Sequence, residues 1–198
     1  MTQCGAEDKQ RSTGELIKST FLSIYRKKPL HRIFVSELVG ACNISRGTFY
    51  FYYENIEQLY HECEEDLIRV MEDGLDNVVL CTVGGSRSNM SRFIQTYAAH
   101  LAKYPRYMEL FHCLLNGSER SSFRRKWVQS VFRHFEKTLP FSRACAPEYQ
   151  EYLLHFFSGG EVAMLSSWIL DGCIAPPEAI ASISAQALFL GTFVAGGE

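Results

Sequence analysis

Residues 35–55 read VSELVGACNISRGTFYFYYEN, two short helical patterns separated by a turn, with five consecutive rings, Phe49 to Tyr53, at the end of the second. Val35, Leu38, Val39 and Cys42 fall at i, i+3, i+4 and i+7, which is one apolar face of a helix barely two turns long. A helix that short is marginal alone and needs neighbours to hold it. Asn43 follows where a left-handed residue stops a helix, and after glycine asparagine tolerates that conformation best. Ser45 then has the chemistry of an N-cap for a second short helix, Arg46 to Tyr52. Two short helices across the turn Asn43–Ile44–Ser45 predict a helix-turn-helix. Phe49 and Tyr53, four apart, are expected in its core, and Phe51 can pack against either the first or the fourth helix.

Outward from this stretch the period stays helical. On the N-terminal side, Ile17, Phe21, Ile24 and Tyr25 predict a helix over 13–28 that Pro29 ends, with Lys27 and Lys28 in its last turn favouring the negative end of the helix dipole. On the C-terminal side, Asn55 and Gln58 resemble a capping box, and the helix they start is expected to run past residue 76. Between Glu54 and Asp76 nine acidic residues face a single base, Arg69, which reads as a solvated face. GGSRSNMS (84–91) reads as a loop, and further helices are expected at 89–103, 107–116, 118–138, 147–171 and 177–195, punctuated by Pro105, Gly117, Pro140, Gly172 and Pro176. No stretch sustains a period of two, so the expected fold is all-α with about nine helices.

The 198 residues suffice for one or two domains with a substantial core. A net charge of -2 does not advertise a polyanion partner, but its distribution is uneven. Residues 1–53 carry eight Lys and Arg against four acids, leaving twelve bases and eighteen acids for the rest. A basic head on an acidic body is the pattern of a polyanion-facing segment. The seven cysteines are dispersed without a CxxC pair, as expected of reduced thiols in a cytoplasmic protein, and the N-terminus lacks the apolar core of a signal peptide. Residues 179–197 carry no charge, yet their serines and glycines favour a packing helix over a membrane span. His61 with Cys63 and His112 with Cys113 lack metal-site geometry, and no HExxH, nucleophile elbow or phosphate loop is present. No catalytic residue, metal or cofactor is therefore expected.

The run from Val35 to Asn55 resembles the DNA-binding head of the tetracycline-repressor (TetR) family of bacterial transcription regulators. The family pattern has a V-x-x-I-A helix, a small-small-turn-apolar-Ser junction, then a base, Gly, a small polar residue, an aromatic, Tyr, and a further aromatic. Here these are Val35, Leu38 and Val39; Ala41, Cys42, Asn43, Ile44 and Ser45; then Arg46, Gly47, Thr48, Phe49, Tyr50 and Tyr53. The match extends over about 17–59, and GGEVAMLSSWILDG (159–172) resembles the penultimate helix of many members. Asn43 stands in place of the usual turn glycine, and Glu54 and Ile56 stand where members commonly carry lysine.

The resemblance implies a three-helix head, 1–58, that binds double-stranded DNA, and a helical domain, 59–198, that binds a small-molecule effector and pairs two subunits. Ser36, Ser45, Arg46, Gly47, Thr48, Tyr50 and Tyr52 would meet the DNA. Ser45, Gly47 and Thr48 keep the helix surface low enough to enter the major groove, and Arg46 can reach a phosphate or a guanine edge. With lysines absent at 54 and 56, affinity is expected to rest on Arg46, Lys9, Arg11, the helix start at Asn55 and dimerisation. Candidate pocket walls are Phe93, Tyr97, His100, Phe111, Trp127 and Phe156, with Phe132 beside them. Arg120, Arg124, Arg125 and Lys126 form a basic cluster, read as a solvated helix start or as an attraction for an anionic ligand. The last two helices are apolar around much of their circumference, and a two-fold four-helix bundle would bury them. Such a dimer, a repressor released by its effector, would read an inverted repeat with half-sites roughly 34 to 36 Å apart. The rival reading is a helical interaction module or adaptor that kept the head's fold without its DNA affinity; neither reading involves a membrane.

Overall fold

The computed structural model describes residues 4–81, 87–138 and 146–193, and every regular element among them is helical. α1 (Cys4–Tyr25), α2 (Val35–Cys42) and α3 (Arg46–Tyr52) pack together at one end. α1 stops at Tyr25, short of the expected residue 28, so Lys27 and Lys28 lie in the turn beyond it and not in the last helical turn. The cause is Pro29, which disfavours helical geometry in the residue before it and itself sits at φ -66°, ψ 152° to start a 3-10 turn, Leu30–Arg32.

The helix-turn-helix junction forms through local chemistry. Asn43 is left-handed (φ 53°, ψ 44°), and the N–H groups of Asn43 and Ile44 return to the carbonyls of Gly40 (3.3 Å) and Val39 (3.0 Å). This is a Schellman closure with asparagine in the glycine position. Ser45 Oγ then accepts the Thr48 N–H at 3.0 Å and opens α3.

α4 (Ile56–Glu72) begins as the capping pattern predicts, with Asn55 Oδ1 accepting the Gln58 N–H at 2.7 Å and Gln58 Oε1 accepting the N–H of Glu54. Its buried residues, Ile56, Leu59, Tyr60, Cys63, Glu64, Leu67 and Met71, recur every three or four positions. Two expectations for this segment are overturned. The helix does not run past residue 76: Asp73 and Gly74 (φ 85°) break it, and α5 (Leu75–Leu80) follows on a new course. Lys103 Nζ pins the break through Asp73 O (3.1 Å) and Oδ2 (2.8 Å). Nor is the acidic run all solvated, because Glu64 is fully buried. Tyr60 Oη (2.9 Å) and Lys126 Nζ (2.6 Å) donate to it, and His61 Nδ1 lies 3.0 Å away, so its charge is paired and hydrogen-bonded as burial demands.

The remaining helices are α6 (Arg87–Leu101), α7 (Met108–Asn116), α8 (Arg120–Thr138), α9 (Gln150–Leu170) and α10 (Pro177–Phe193). That makes ten α-helices among the described residues, the break at Gly74 accounting for the addition to the expected nine. α10 packs along α6, α8 packs along α9, and α7 lies between α8 and α9 with Phe111, Leu114 and Leu115 buried. The head joins this body where α1 meets α7. Tyr25 Oη accepts the Glu119 N–H at 3.2 Å and leaves no room for a side chain at Gly117, whose Cβ would fall 2.2 Å from that oxygen.

Candidate nucleic-acid interface and ligand cavity

The five rings of α3 and its C-cap divide by helical geometry. Phe49 and Tyr53 are buried in contact with each other, their ring centroids 5.8 Å apart, as their spacing predicts. Phe51 is not packed into either α1 or α4: it is 70% exposed and touches only the edge of the Tyr52 ring among the ring pairs at this site. Tyr50 is exposed, whereas Tyr52 is half-buried with its ring beside α1, 3.7 Å from where a Cβ at Gly14 would lie. Ser36, Ser45, Arg46 and Gly47 are exposed on α2, the turn and the first turn of α3, and Thr48 is half-buried with its hydroxyl 2.8 Å from Ser45 Oγ.

Three other cations of the head, Lys18, Lys28 and Arg26, have carboxylate partners among the described residues. Lys18 lies 2.7 Å from Glu62 and 2.5 Å from Asp66. Although burial opposes its charge, the hydrogen bonds to Asp66 and Glu62 prevail and raise its pKa above the usual lysine value. Lys28 pairs with Glu37, and Arg26 reaches Glu109 at 3.3 Å and Cys113 Sγ at 3.2 Å. Arg46 has no ion pair among the described residues. The side chains of Lys9 and Arg11 lie outside the described residues. Ile56 is absent from the surface altogether, because it is buried in the core that α4 shares with the head, so that lysine would be incompatible with this packing. Glu54 is exposed.

Inside the body, α4, α5, α6, α8, α9 and α10 converge on a narrow cavity of about 20 Å³, room for one water molecule. Phe93, Tyr97 and Trp127 line it, together with Tyr104, Ser130 and Glu161. His100 and Phe111 do not; they form the layer behind. His100 stacks on Tyr97 (centroids 6.1 Å) and meets Tyr104 Oη through Nε2 at 3.2 Å, while Phe111 packs on Tyr104 (5.2 Å) and Trp127 (5.9 Å). Phe156 lies outside: it is 72% exposed on the surface of α9, because the turn of that helix that faces the cavity carries Glu161 and Leu165 instead. Phe132 sits on an open groove beside His155, 4.8 Å between centroids. The basic cluster is exposed at Arg120, Arg124 and Arg125, away from the cavity, and Lys126 is committed to Glu64.

Glu161 is the residue that the aromatic pattern passed over. Its Oε1 accepts hydrogen bonds from Tyr97 Oη and from Ser184 Oγ at 3.0 Å. Burial raises its pKa above the usual carboxylate value, and these two hydrogen bonds only partly counter it. Signal for it did exist in the sequence: between Glu151 and Asp171 it is the only acidic residue. His100 is driven the other way, its pKa lowered to about 4 by burial and by the charge of Lys103. Its Nδ1 points toward the carbonyls of Met71 and Asp73 without reaching hydrogen-bond geometry.

One face of the body is left apolar and open. Tyr152, Phe156, Gly160, Ala163 and Ser167 form an exposed stripe along α9, and Ala179, Ile183 and Ala187 form another along α10. The span Pro147–Leu170 is long and apolar enough to cross a membrane by length and composition, and 44% of its most apolar window is buried.

Residues 89–189, slightly more than half of the chain, match the family model for the C-terminal region of TetR transcriptional regulators. Over 165 residues the chain is 22% identical to YxbF, an uncharacterized HTH-type transcriptional regulator of Bacillus subtilis (strain 168). That alignment covers 83% of this chain and 41% of the relative, so the chain spans about two-fifths of that protein's length. Among solved structures, NalD, the secondary repressor of the MexAB-OprM multidrug efflux pump in Pseudomonas aeruginosa, aligns over 93% of this chain and 97% of its own, with TM-score 0.59 and 14% identity. DhaS, the dihydroxyacetone kinase operon activator, aligns over 92% and 97%, with TM-score 0.55 and 14% identity. At such identities these two likenesses establish the fold, and with the family match over the helical body they place the chain in the TetR family of transcriptional regulators, which are not enzymes.

Proposed function

We propose that the chain is a ligand-responsive repressor that binds an inverted-repeat DNA operator as a homodimer in the cytoplasm. In this reading residues 1–58 form the DNA-binding domain and 59–198 the effector-binding and dimerisation domain. The observation that carries it is the first turn of α3, where Ser45, Arg46 and Gly47 stand exposed on a capped helix whose other face is anchored by Phe49. That low profile suits a major groove, and an unpaired guanidinium beside it suits a phosphate or a guanine. Ser36 and Tyr50 flank it as further contacts, while Tyr52 and Thr48 contribute through their exposed parts. The open stripe on α9 and α10 suits a two-fold bundle better than a lipid surface, since it is built largely of small residues with two aromatic anchors at one end of α9.

Effector action follows from α4. Its 17 residues span roughly 25 Å, with Ile56 in the head and Met71 at the cavity wall. Lys18 ties it to α1 and Lys126 ties it to α8. A ligand that forces the cavity walls apart moves α4 and with it the spacing of the two heads, provided it binds the displaced conformer better. Repression is the direction proposed, although NalD is a repressor and DhaS an activator on the same fold.

Gel shift against the DNA flanking the chain's own coding region tests the reading. Salt-sensitive, sequence-dependent binding is expected, and Arg46→Ala should weaken it by about 1 to 3 kcal/mol if the contact is to a base. A phosphate contact would instead lower affinity for all sequences and flatten the salt dependence. Absence of binding at low salt to any such fragment would favour the adaptor reading, to which exposed Glu54 and the neutralised Lys18 and Lys28 lend support.

A further inference from the structure

The cavity and the acid in its wall indicate a class of ligand. Among the described residues, Glu161 is the one formally charged side chain in the cavity wall; no lysine, arginine or histidine lines it. Both of its hydrogen-bond donors, Tyr97 and Ser184, are neutral and both reach the same oxygen, Oε1. The contrast with Glu64 is direct. That carboxylate, fully buried where Glu161 is half-buried, has Lys126 within 2.6 Å. An acid placed in an apolar wall without a counter-ion is costly, and a cation delivered from outside offsets the cost. The rest of the wall suits the same guest: Phe93, Tyr97, Tyr104 and Trp127 offer ring faces that attract a positive head, and Leu75, Val131 and Leu165 offer an apolar bed for a hydrocarbon body.

We infer that the effector is a lipophilic ammonium, an apolar body bearing one protonated amine, whose positive head meets the Glu161 carboxylate between the rings of Tyr97 and Trp127. This rests on reading the cavity as the effector site. An anionic guest would meet a carboxylate with no base to relieve it, and a neutral apolar guest would leave the acid unpaired. A volume of about 20 Å³ is far smaller than any such guest, which must part the walls to be held, so binding and conformational change are one event.

A matched series separates these cases: naphthylmethylamine, naphthylmethanol and naphthoate share one bicyclic body and differ in the head. Titration calorimetry on the full chain should give an affinity for the amine about tenfold or more above that for the alcohol, with naphthoate weakest. Glu161→Gln should abolish the preference for the amine over the alcohol, while an unchanged helical circular-dichroism spectrum shows that the variant is folded. Naphthoate or the alcohol binding as tightly as the amine, or the glutamine variant keeping the amine preference, would overturn the inference and leave the cavity standing as an effector site. If none of the three binds, the effector reading of the cavity fails and the inference goes with it.

Discussion

Glu161 and His100 both meet Tyr97, and burial perturbs them in opposite senses. For Glu161 burial favours the protonated acid, and the titratable groups facing it, Tyr97 and Tyr104, supply hydroxyls and no positive charge. The folded chain therefore holds this proton more tightly than the unfolded chain does. Its contribution to stability is greatest below the ordinary value of 4.5 and is lost as pH rises through the raised one. Glu161→Gln should accordingly melt at a higher temperature than the native chain at neutral pH, with the gap closing below pH 4.5, as a calorimetric pH series would record. His100 carries the opposite sign. Facing Lys103, Tyr97, Tyr104 and the Asp73 main chain, it is neutral in the fold down to about pH 4 but takes up a proton near 6.5 when unfolded. Stability is then complete above 6.5 and falls by about 3 kcal/mol as pH drops from 6.5 to 4. His100→Gln, which can still reach Tyr104, should flatten urea-measured stability over that interval, and an unchanged slope would assign the acid sensitivity elsewhere.

Elements differ in how far their chemistry is local, and this decides which of them could be read from the sequence. The helix-turn-helix was legible because each device in it lies within four residues of its partner: Asn43 returning to Gly40, Ser45 capping Thr48, Asn55 capping Gln58. That locality makes a prediction. Asn43→Gly should leave stability the same or slightly higher, whereas Asn43→Ala, forced to hold φ 53° with a Cβ and no compensating side-chain bond, should cost about 1 kcal/mol in chemical denaturation. The break between α4 and α5 was not legible, since Lys103, which holds it, is 30 residues away and the acidic run around Asp73 has the period of an unbroken helix. Burial of Glu64 escaped for the same reason, its partner Lys126 being 62 residues distant. Three of the aromatic residues that spacing singled out, Phe93, Tyr97 and Trp127, line the cavity, but helical period alone does not separate them from His100 and Phe111 one layer behind. It placed Phe156 on the wrong side of α9 because that helix is apolar nearly all round and marks no inner face.

At the scale of the whole molecule the same all-round apolarity becomes the argument for a second copy. α9 buries Leu154, Phe157, Val162 and Leu165 against its own chain, yet its opposite stripe still presents Tyr152 and Phe156, each more than 70% exposed, at one end and small residues at the other. In a lone chain these rings contribute almost nothing to stability, so replacing one should leave the fold within about 0.5 kcal/mol of native. In a two-fold bundle they would be buried aromatic anchors, the residues whose loss most weakens an interface, at about 2 kcal/mol or more apiece. Phe156→Asp discriminates between the two states. Sedimentation should find the native chain dimeric at micromolar concentration and the variant shifted toward monomer, with helix content and melting of the isolated subunit unchanged. Because two recognition helices must engage one operator together, the variant should also lose DNA affinity far more steeply than a surface change distant from α3 would allow. A native chain that sediments as a monomer, or an aspartate variant that stays dimeric with full DNA affinity, would remove α9 from the interface and leave its apolar stripe to another partner.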